Sequence, residues 1–250
     1  MPRVKMVVSY DGTGFFGWQK QNSGRTVQGV MEEQISRMVK QEVRIIASGR
    51  TDSGVHAAGQ VVHMDAALER VPQEKLAVAM NSFLPRDIRI RSAVFAPDNF
   101  HARFDARLRT YRYFLYGDGC ENPFYRNYAW WCPRLPGLQQ LNEYARVFVG
   151  THDFTAFSAA NEQISHRIRT VSSAVFFRQG PFTVFEISAN GFLWRMVRSI
   201  LGSILDYSAK GISPGRAAEF LAEGERIAAG PSAPPHGLYL QEVRYDEGME

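Results

Sequence analysis

Two apolar patterns alternate along the chain: short strand-like stretches, and longer segments whose apolar residues recur at helical spacing. In the first half they predict the order βαββαβ. The elements are a strand at Val4–Tyr10, a helix capped by Thr26, strands at Val43–Ser48 and Gln60–Asp65, a helix from Pro72 to Leu84 and a strand at Ile88–Ala96.

The second half repeats this order with an extra helix and longer loops. Its elements are a strand at Thr110–Tyr116, a helix at Leu138–Val149 closed by Gly150, strands at Arg167–Phe177 and Phe182–Ala189, a helix at Leu193–Tyr207, a helix begun by Ser213–Pro214 and a strand at Leu238–Tyr245. Each half therefore predicts a ferredoxin-like, RRM-like βαββαβ unit.

These patterns predict an α+β protein with two similar domains. We expect residues 1–105 to form the first and residues 106–250 the second, each with helices on one face of a four-stranded antiparallel sheet. If the two halves join side by side into a central sheet, the seam between them makes a cleft.

Composition agrees with a folded protein, because 45% of the 250 residues are hydrophobic. There are only two cysteines, which excludes a disulfide scaffold and favours the cytoplasm. No stretch of about 18 apolar residues predicts a membrane span. The first residues enter a strand pattern and lack the apolar core of a secretion signal.

The positive charge is concentrated in one window. The net charge is +4, and arginine supplies 24 of the 29 basic residues, a bias that a GC-rich genome would also produce. Between Arg86 and Arg112 lie seven arginines and three aspartates, interleaved with aromatic residues. Cations for phosphates and flat rings for bases suit RNA recognition, although a solvated surface gives the same pattern.

A G-x-G-x-x-G sequence at Gly12–Gly17 follows the first strand. A dinucleotide site needs a helix that begins inside this motif, and the residues that follow are poor helix formers. We therefore interpret the segment as a loop whose glycines let the backbone and Trp18 approach another part of the protein closely.

The stretch Ser48–Gln60, between two strands, contains glycines five residues apart and Asp52 near its centre. Arg50 lies two residues earlier, on the same side of an extended chain, where its guanidinium would keep the carboxylate ionised. A simple Asx-turn is the alternative. His56 is a candidate for orienting the loop. The spacing of the cysteines and histidines predicts no metal site.

The segment Gly49–Ala57 closely resembles the catalytic motif of the TruA family of tRNA pseudouridine synthases. Further motifs extend the resemblance over roughly residues 4 to 245. They are Tyr10–Thr13 with Gly17–Gln19, Phe100–Phe104, Tyr111–Tyr113, His152–Phe154 with Phe157, Met196–Arg198 and Gly237–Leu240. The resemblance implies a homodimer without cofactor or metal that isomerises uridines 38, 39 and 40 in the anticodon stem-loop of tRNA.

Residue roles follow from the same resemblance. It implies that Asp52 is the nucleophile, Tyr111 an active-site tyrosine, Arg198 a catalytic basic residue and Arg50 an arginine that displaces the target nucleotide. We add His101 and Arg103 as candidate tRNA contacts.

The apolar pattern by itself also allows a purely structural role for two of these residues. Tyr111 shares a strand face with Tyr113, as a core tyrosine would. Arg198 flanks the apolar stripe of its helix, whereas Arg195 lies near the opposite, wetter face. We therefore favour Arg198 for a half-buried ion pair with Asp52, although an arginine that covers the core from the surface has the same pattern.

The chemistry is consistent with one carboxylate in a closed site. A retaining glycosidase needs a second carboxyl group about 5 Å away, and no acidic partner shares the Asp52 loop. Base flipping is expected, since the target atoms lie inside a stacked helix. Two other functions stay open: a non-catalytic RNA-binding protein of the same fold, and a nucleoside hydrolase or glycosylase.

Overall fold

The computed structural model of the chain describes residues 1–117, 119–159, 166–224 and 229–246. It consists of two compact units. The first comprises Met1–Arg107 together with the carboxyl-terminal segment from Tyr239, and the second is Leu108–Leu238. The boundary near residue 107 lies close to the predicted one, but the carboxyl-terminal segment belongs to the first unit instead of the second.

The elements follow the predicted order with changed bounds. The strands in the described residues are β1 (Arg3–Tyr10), β2 (Ile46–Ala47), β3 (His56–Asp65), β4 (Ile88–Ala96), β5 (Leu108–Tyr116), β6 (Trp130–Trp131), β7 (Gly150–Asp153), β8 (Ile168–Gln179), β9 (Phe182–Ala189) and β10 (Leu238–Arg244). The helices are α1 (Val27–Val39), α2 (Leu76–Asn81), α3 (Leu138–Val147), α4 (Met196–Lys210) and α5 (Pro214–Glu223). Both units are mixed α+β, with mostly antiparallel strands, which confirms the predicted fold class.

In the first unit the strand order is β4-β1-β3-β10. β1 runs antiparallel to β3 and to β4, and β10 runs parallel to β3, with Tyr239 opposite His56. The side chains of Val4, Met6 and Val8 on β1 are fully buried. Their alternation along the strand places the core on one face of the sheet.

Local contacts explain why β10 belongs to the first unit. The Arg107 amide donates to the Arg244 carbonyl at 2.9 Å. The Tyr245 hydroxyl donates to the Ala102 carbonyl at 2.7 Å. These long-range pairings cannot be inferred from the apolar pattern of a strand.

In the second unit the strand order is β5-β9-β8-β7, and every neighbouring pair in it is antiparallel. The rings of Phe176 and Phe185, on β8 and β9, stack with centroids 4.6 Å apart. Gly180 turns the hairpin between these strands with a φ of 57°. α4 packs most of its residues into the core, as its apolar pattern predicts.

Several predicted boundaries are wrong for identifiable reasons. The strand expected at Val43–Ser48 is reduced to β2, because side chains of α1 bind the preceding amides. Glu32 accepts from the Ile45 amide at 3.0 Å and Ser36 from the Val43 amide at 2.9 Å. The helix expected from Pro72 begins as a 3-10 turn and becomes α-helical at Leu76.

The helices of the second unit also differ from the prediction at their ends. α4 begins at Met196 instead of Leu193, because Arg195 has a left-handed φ of 64°. α3 ends at Val147, and Gly150, expected to close it, starts β7 with a φ of 120°. The predicted caps Thr26 and Ser213 are confirmed, since each accepts from an amide in the first turn of its helix.

No helix in the described part of the chain is long and apolar enough to cross a bilayer.

Candidate active site

The Asp52 loop joins β2 to β3 and is closed by a tight turn. The Val55 amide donates to the Asp52 carbonyl at 3.1 Å, and Gly54 inside the turn has a φ of 76°. The neighbours Thr51 and Val55 are buried, whereas Asp52 is half-buried. The backbone is thus fixed, and Asp52 is less buried than the residues on either side of the turn.

The segment Phe15–Trp18 holds this loop from one side. The Trp18 amide donates to the Thr51 carbonyl at 3.0 Å. The Phe15 carbonyl accepts from the Gly54 amide at 3.3 Å and from the Ser53 hydroxyl at 3.2 Å. Hydrogen bonds therefore fix the backbone immediately before and after Asp52.

Glycines allow this close approach. A Cβ built on Gly12 would lie 2.1 Å from the Val55 carbonyl oxygen, and one built on Gly17 would lie 2.7 Å from that of Thr51. α1 begins only at Val27, so no helix starts inside the G-x-G-x-x-G sequence. The interpretation of this segment as a closely packed loop is confirmed, and its contact is the Asp52 loop.

Buried polar groups support the loop from below. The hydroxyls of Tyr10 and Thr51 are 2.7 Å apart. Gln60 donates to the Gly49 carbonyl at 2.9 Å and accepts from the Ser48 hydroxyl at 2.6 Å. Burial raises the pKa of Tyr10 above its usual value, so its hydroxyl stays protonated and acts as a fixed hydrogen-bonding group.

His56 connects the loop to both neighbouring segments. Its Nδ1 accepts from the Gly12 amide at 3.0 Å and lies 3.2 Å from a carboxylate oxygen of Asp11. Its ring stacks on Tyr239 with centroids 4.6 Å apart. These contacts suit a residue that orients the loop.

Among the described residues, no group of three or more His, Cys, Asp or Glu could hold a metal ion.

Arg50 is exposed on the same loop. Across residues 1–117, 119–159, 166–224 and 229–246, it forms no ion pair with a carboxylate. The Arg50 side chain is therefore accessible to a ligand.

His101 and Arg103 lie in a turn after β4, away from the Asp52 loop. This turn contacts His63, which is seven residues beyond His56 along β3, or roughly 23 Å at strand spacing. The Ala102 amide donates to Nδ1 of His63 at 3.1 Å. His101 and Arg103 thus lie on either side of Ala102, which is hydrogen-bonded to the sheet.

The buried His63 predicts acid sensitivity of the first unit. Burial, assisted by the charges of Arg3 and His101, lowers the pKa of His63 to about 4. An unfolded histidine has a pKa of about 6.5, so between these values the unfolded chain binds a proton that the folded chain rejects. The free energy of unfolding should therefore fall as the pH drops from about 6.5 to about 4, by up to about 3 kcal/mol.

Urea unfolding at several pH values measures this loss. The variant His63→Asn keeps an acceptor for the Ala102 amide but cannot titrate, so its free energy of unfolding should depend less steeply on pH over the same range. Parallel curves for the two proteins would contradict the assignment.

Tyr111 lies on β5 in the second unit, opposite Ile187 of β9. It is 9% exposed and meets the ring of Phe192 edge-on at 5.1 Å. Tyr113, on the same strand face, is fully buried and donates its hydroxyl to the Pro234 carbonyl. Tyr111 is therefore largely buried, next to a fully buried tyrosine on the same strand face.

Arg198 is half-buried on α4, and Arg195, which precedes the first residue of the helix, is exposed. The Arg198 Nε donates to the Ala233 carbonyl at 2.7 Å, and the Ala233 amide donates back to the Arg198 carbonyl at 3.0 Å. Gly202 makes room for the segment that contains Ala233, since a Cβ on Gly202 would lie 1.8 Å from the Pro231 carbonyl oxygen. Arg198 is thereby held at a fixed orientation.

Many arginines of the Arg86–Arg112 window are engaged with the protein itself. Their acceptors are the Pro85 and Ile88 carbonyls for Arg89, the Ala58 carbonyl for Arg91, Asp246 for Arg107, the Asn190 carbonyl for Arg109 and Glu186 for Arg112. Arg86 and Arg103 are exposed. Asp246 and Glu186 therefore neutralise part of the charge of the window, which the sequence count did not show.

Two supports of the site were missed by the sequence analysis. For the Tyr10 hydroxyl beneath Thr51, the only indication in the sequence is that Tyr10 belongs to one of the motifs. Nothing in the sequence indicates the contact of Ala233 with Arg198, because the Gly230–Pro235 stretch predicts only an ordered loop. Both depend on tertiary packing between distant residues.

Comparison with known proteins agrees with these motifs. The family model described as tRNA pseudouridine synthase matches residues 6–105 and 144–246. The tRNA pseudouridine synthase A of Bacillus subtilis is 42% identical over 98% of this chain and 99% of its own length. That of Geobacillus kaustophilus is 43% identical over 98% and 95%, and that of an Exiguobacterium strain is 39% identical over 99% of each chain. The chain therefore belongs to the tRNA pseudouridine synthase family.

Proposed function

We propose that this enzyme converts uridine to pseudouridine at positions 38, 39 and 40 of the tRNA anticodon stem-loop, with Asp52 as the nucleophile. The observation that carries the proposal is the Asp52 loop, whose backbone is fixed on both sides while Asp52 itself is only half-buried. A fixed carboxylate can be aimed at a sugar carbon without being reoriented for each reaction.

The reaction rearranges one nucleotide and needs no external group. The bond from N1 of uracil to C1′ breaks, the base rotates, and a bond from C5 to C1′ forms. C5 loses its proton and N1 gains one, so atoms and charge balance. Asp52 either attacks the nucleoside or promotes loss of a sugar proton to form a glycal, and both routes require water to be kept from the reactive sugar.

We assign catalytic roles to Tyr111 and Arg198 as the family resemblance implies. Tyr111 combines low exposure with an aromatic ring that can stack on a flipped uracil or pass on the C5 proton. Arg198 is a permanent cation whose Nε is fixed by the Ala233 carbonyl. Both assignments are proposals that substitution can test.

We assign substrate binding to Arg50, Tyr111, Arg103 and His101. Arg50 and Arg103 are exposed arginines, suited to phosphate or to the space left by a flipped base. We further propose that the enzyme acts as a homodimer in the cytoplasm without metal or cofactor.

Phosphate contacts predict a strong salt dependence. If about four phosphates are neutralised, the affinity for tRNA should fall roughly 100-fold between about 50 and 200 mM salt, because bound counterions are released. Filter binding at a series of salt concentrations measures the slope. A flat response would contradict a role for the exposed arginines.

Mapping the modified nucleotides tests the proposed substrate position. Unmodified tRNA carrying uridine at positions 38, 39 and 40 is incubated with the enzyme, treated with a carbodiimide that marks pseudouridine, and read by primer extension. We expect stops at these positions and none in a transcript with cytidine there. Stops confined to another arm of the tRNA would refute the positional assignment.

A further inference from the structure

The ring of Phe104 is unusually prominent in the first unit. It is 72% exposed, although exposed aromatic rings usually gain by burial. A single exposed apolar residue is common and needs no explanation by itself. Phe104 differs because its surroundings fix the ring in place.

The turn that carries Phe104 is closed by its own side chains. Nδ1 of His101 accepts from the amides of Arg103 and Phe104, both at 3.2 Å. The His101 amide donates to the carboxylate of Asp105 at 2.7 Å, and the Asp105 amide donates to the His101 carbonyl at 3.1 Å. Four hydrogen bonds within five residues leave this turn little freedom.

The turn is also anchored to the sheet through Ala102. The Ala102 amide donates to the buried His63, and its carbonyl accepts from the Tyr245 hydroxyl at 2.7 Å. Just before the turn, the Phe100 ring is buried, and the Phe100 carbonyl accepts from Arg3 at 2.9 Å. The turn that carries Phe104 is thus attached directly to the core of the first unit.

The Phe104 ring is already one layer of a stack. The His101 ring lies against it with centroids 4.2 Å apart and planes inclined by 26°. The guanidinium carbon of Arg103 lies 5.8 Å from the centroid of the Phe104 ring. One aromatic layer backed by another, beside an exposed cation, is the arrangement on which single-stranded nucleotides stack.

We propose that Phe104 is a base-stacking residue for an unpaired nucleotide of tRNA, with Arg103 placed for the adjoining phosphate. The proposal rests on the proposed function for its ligand class. Every base has a π-face, so this contact requires little sequence preference. Because the turn contacts β3 roughly 23 Å along the strand from the Asp52 loop, the stacked nucleotide is not the target uridine.

The test compares Phe104→Ala with Phe104→Trp and with Phe124→Ala, whose wild-type ring is 83% exposed in the second unit. For Phe104→Ala we expect tRNA binding to weaken by about 5- to 150-fold, the range found for loss of one stacked base. The loss should lie in KM and not in kcat, since the contact is remote from the reaction. Phe104→Trp, which keeps an aromatic ring, and Phe124→Ala should both bind tRNA as tightly as the wild type does.

Fluorescence gives a second readout that does not depend on the alanine variant. A tryptophan at position 104 should be quenched when tRNA stacks on it, relative to the signal change of the wild-type enzyme. Equal affinity of Phe104→Ala and wild type, or no additional quenching at position 104, would overturn the proposal. So would a shift of Phe104→Ala to a lower mass in sedimentation without tRNA, because that outcome makes the ring a protein–protein contact.

Failure of the proposed function would look different. An enzyme that binds tRNA and loses affinity in Phe104→Ala, yet forms no pseudouridine, would support the stacking residue and refute the reaction.

Discussion

Asp52→Asn should reduce the rate of pseudouridine formation by roughly 10⁴-fold or more, the loss typical of removing a catalytic nucleophile. Asparagine keeps the size of the side chain but has no negative charge with which to attack or stabilise the sugar. The loop should keep its shape, because its hydrogen bonds to Trp18, Phe15 and Val55 use backbone groups of the loop and the Ser53 hydroxyl. Affinity for tRNA should therefore change by less than about threefold.

Asp98→Asn is the matched control, since Asp98 is an exposed aspartate of the same unit and lies outside the proposed site. It removes the same charge from the protein and should leave the rate within about twofold of wild type. Single-turnover assays at saturating tRNA measure both variants. Turnover by Asp52→Asn at more than a few per cent of the wild-type rate would remove Asp52 from the role of nucleophile.

Gly17→Ala is the second substitution with a large expected effect. Gly17 has a φ of 84°, and a Cβ there would lie 2.7 Å from the Thr51 carbonyl oxygen. The added methyl group must push away the backbone next to Asp52 or unwind the segment that holds it. Misplacing a reacting group by about 1 Å costs roughly 100-fold in rate, and we expect kcat to fall by this factor.

Stability should decrease as well, by about 1–3 kcal/mol, because alanine at a positive φ is strained and the site has no room. Gly14→Ala is the control within the same motif: its added Cβ would meet only the Arg25 side chain, at an ordinary 3.5 Å. It should change kcat by less than about threefold. Thermal unfolding and single-turnover rates distinguish the two variants, and equal behaviour would contradict the close packing assigned to Gly17.

The sequence was informative wherever a pattern is local. β1, β4 and β9 lie close to their predicted ranges because alternation along a strand reports directly on burial. The start of α1 was predictable from the Thr26 side chain, which accepts from the Gly29 amide. The Asp52 loop was identified from its glycines and its resemblance to a known motif.

Other features depend on which distant residues meet. A strand pattern does not identify the strand with which it pairs, so the sequence does not show that Tyr239 pairs with His56 in the first unit. Likewise, the amides of Val43 and Ile45 donate to side chains of α1 instead of to a neighbouring strand. The spacing of apolar residues cannot predict such a hydrogen bond. At the site, the support of Arg198 by Ala233 joins residues far apart in the chain.

The most direct test of the central claim follows both fragments of the substrate in one reaction. Transfer RNA carrying tritium at C5 of uridine is incubated with excess enzyme, and the tritium released to water and the free uracil are quantified together. If the base is detached and rejoined at the Asp52 site, tritium should be released in proportion to the modified uridines and no uracil should appear. Release of uracil would indicate hydrolysis, and release of neither would leave an RNA-binding protein without this activity; either result would contradict the account.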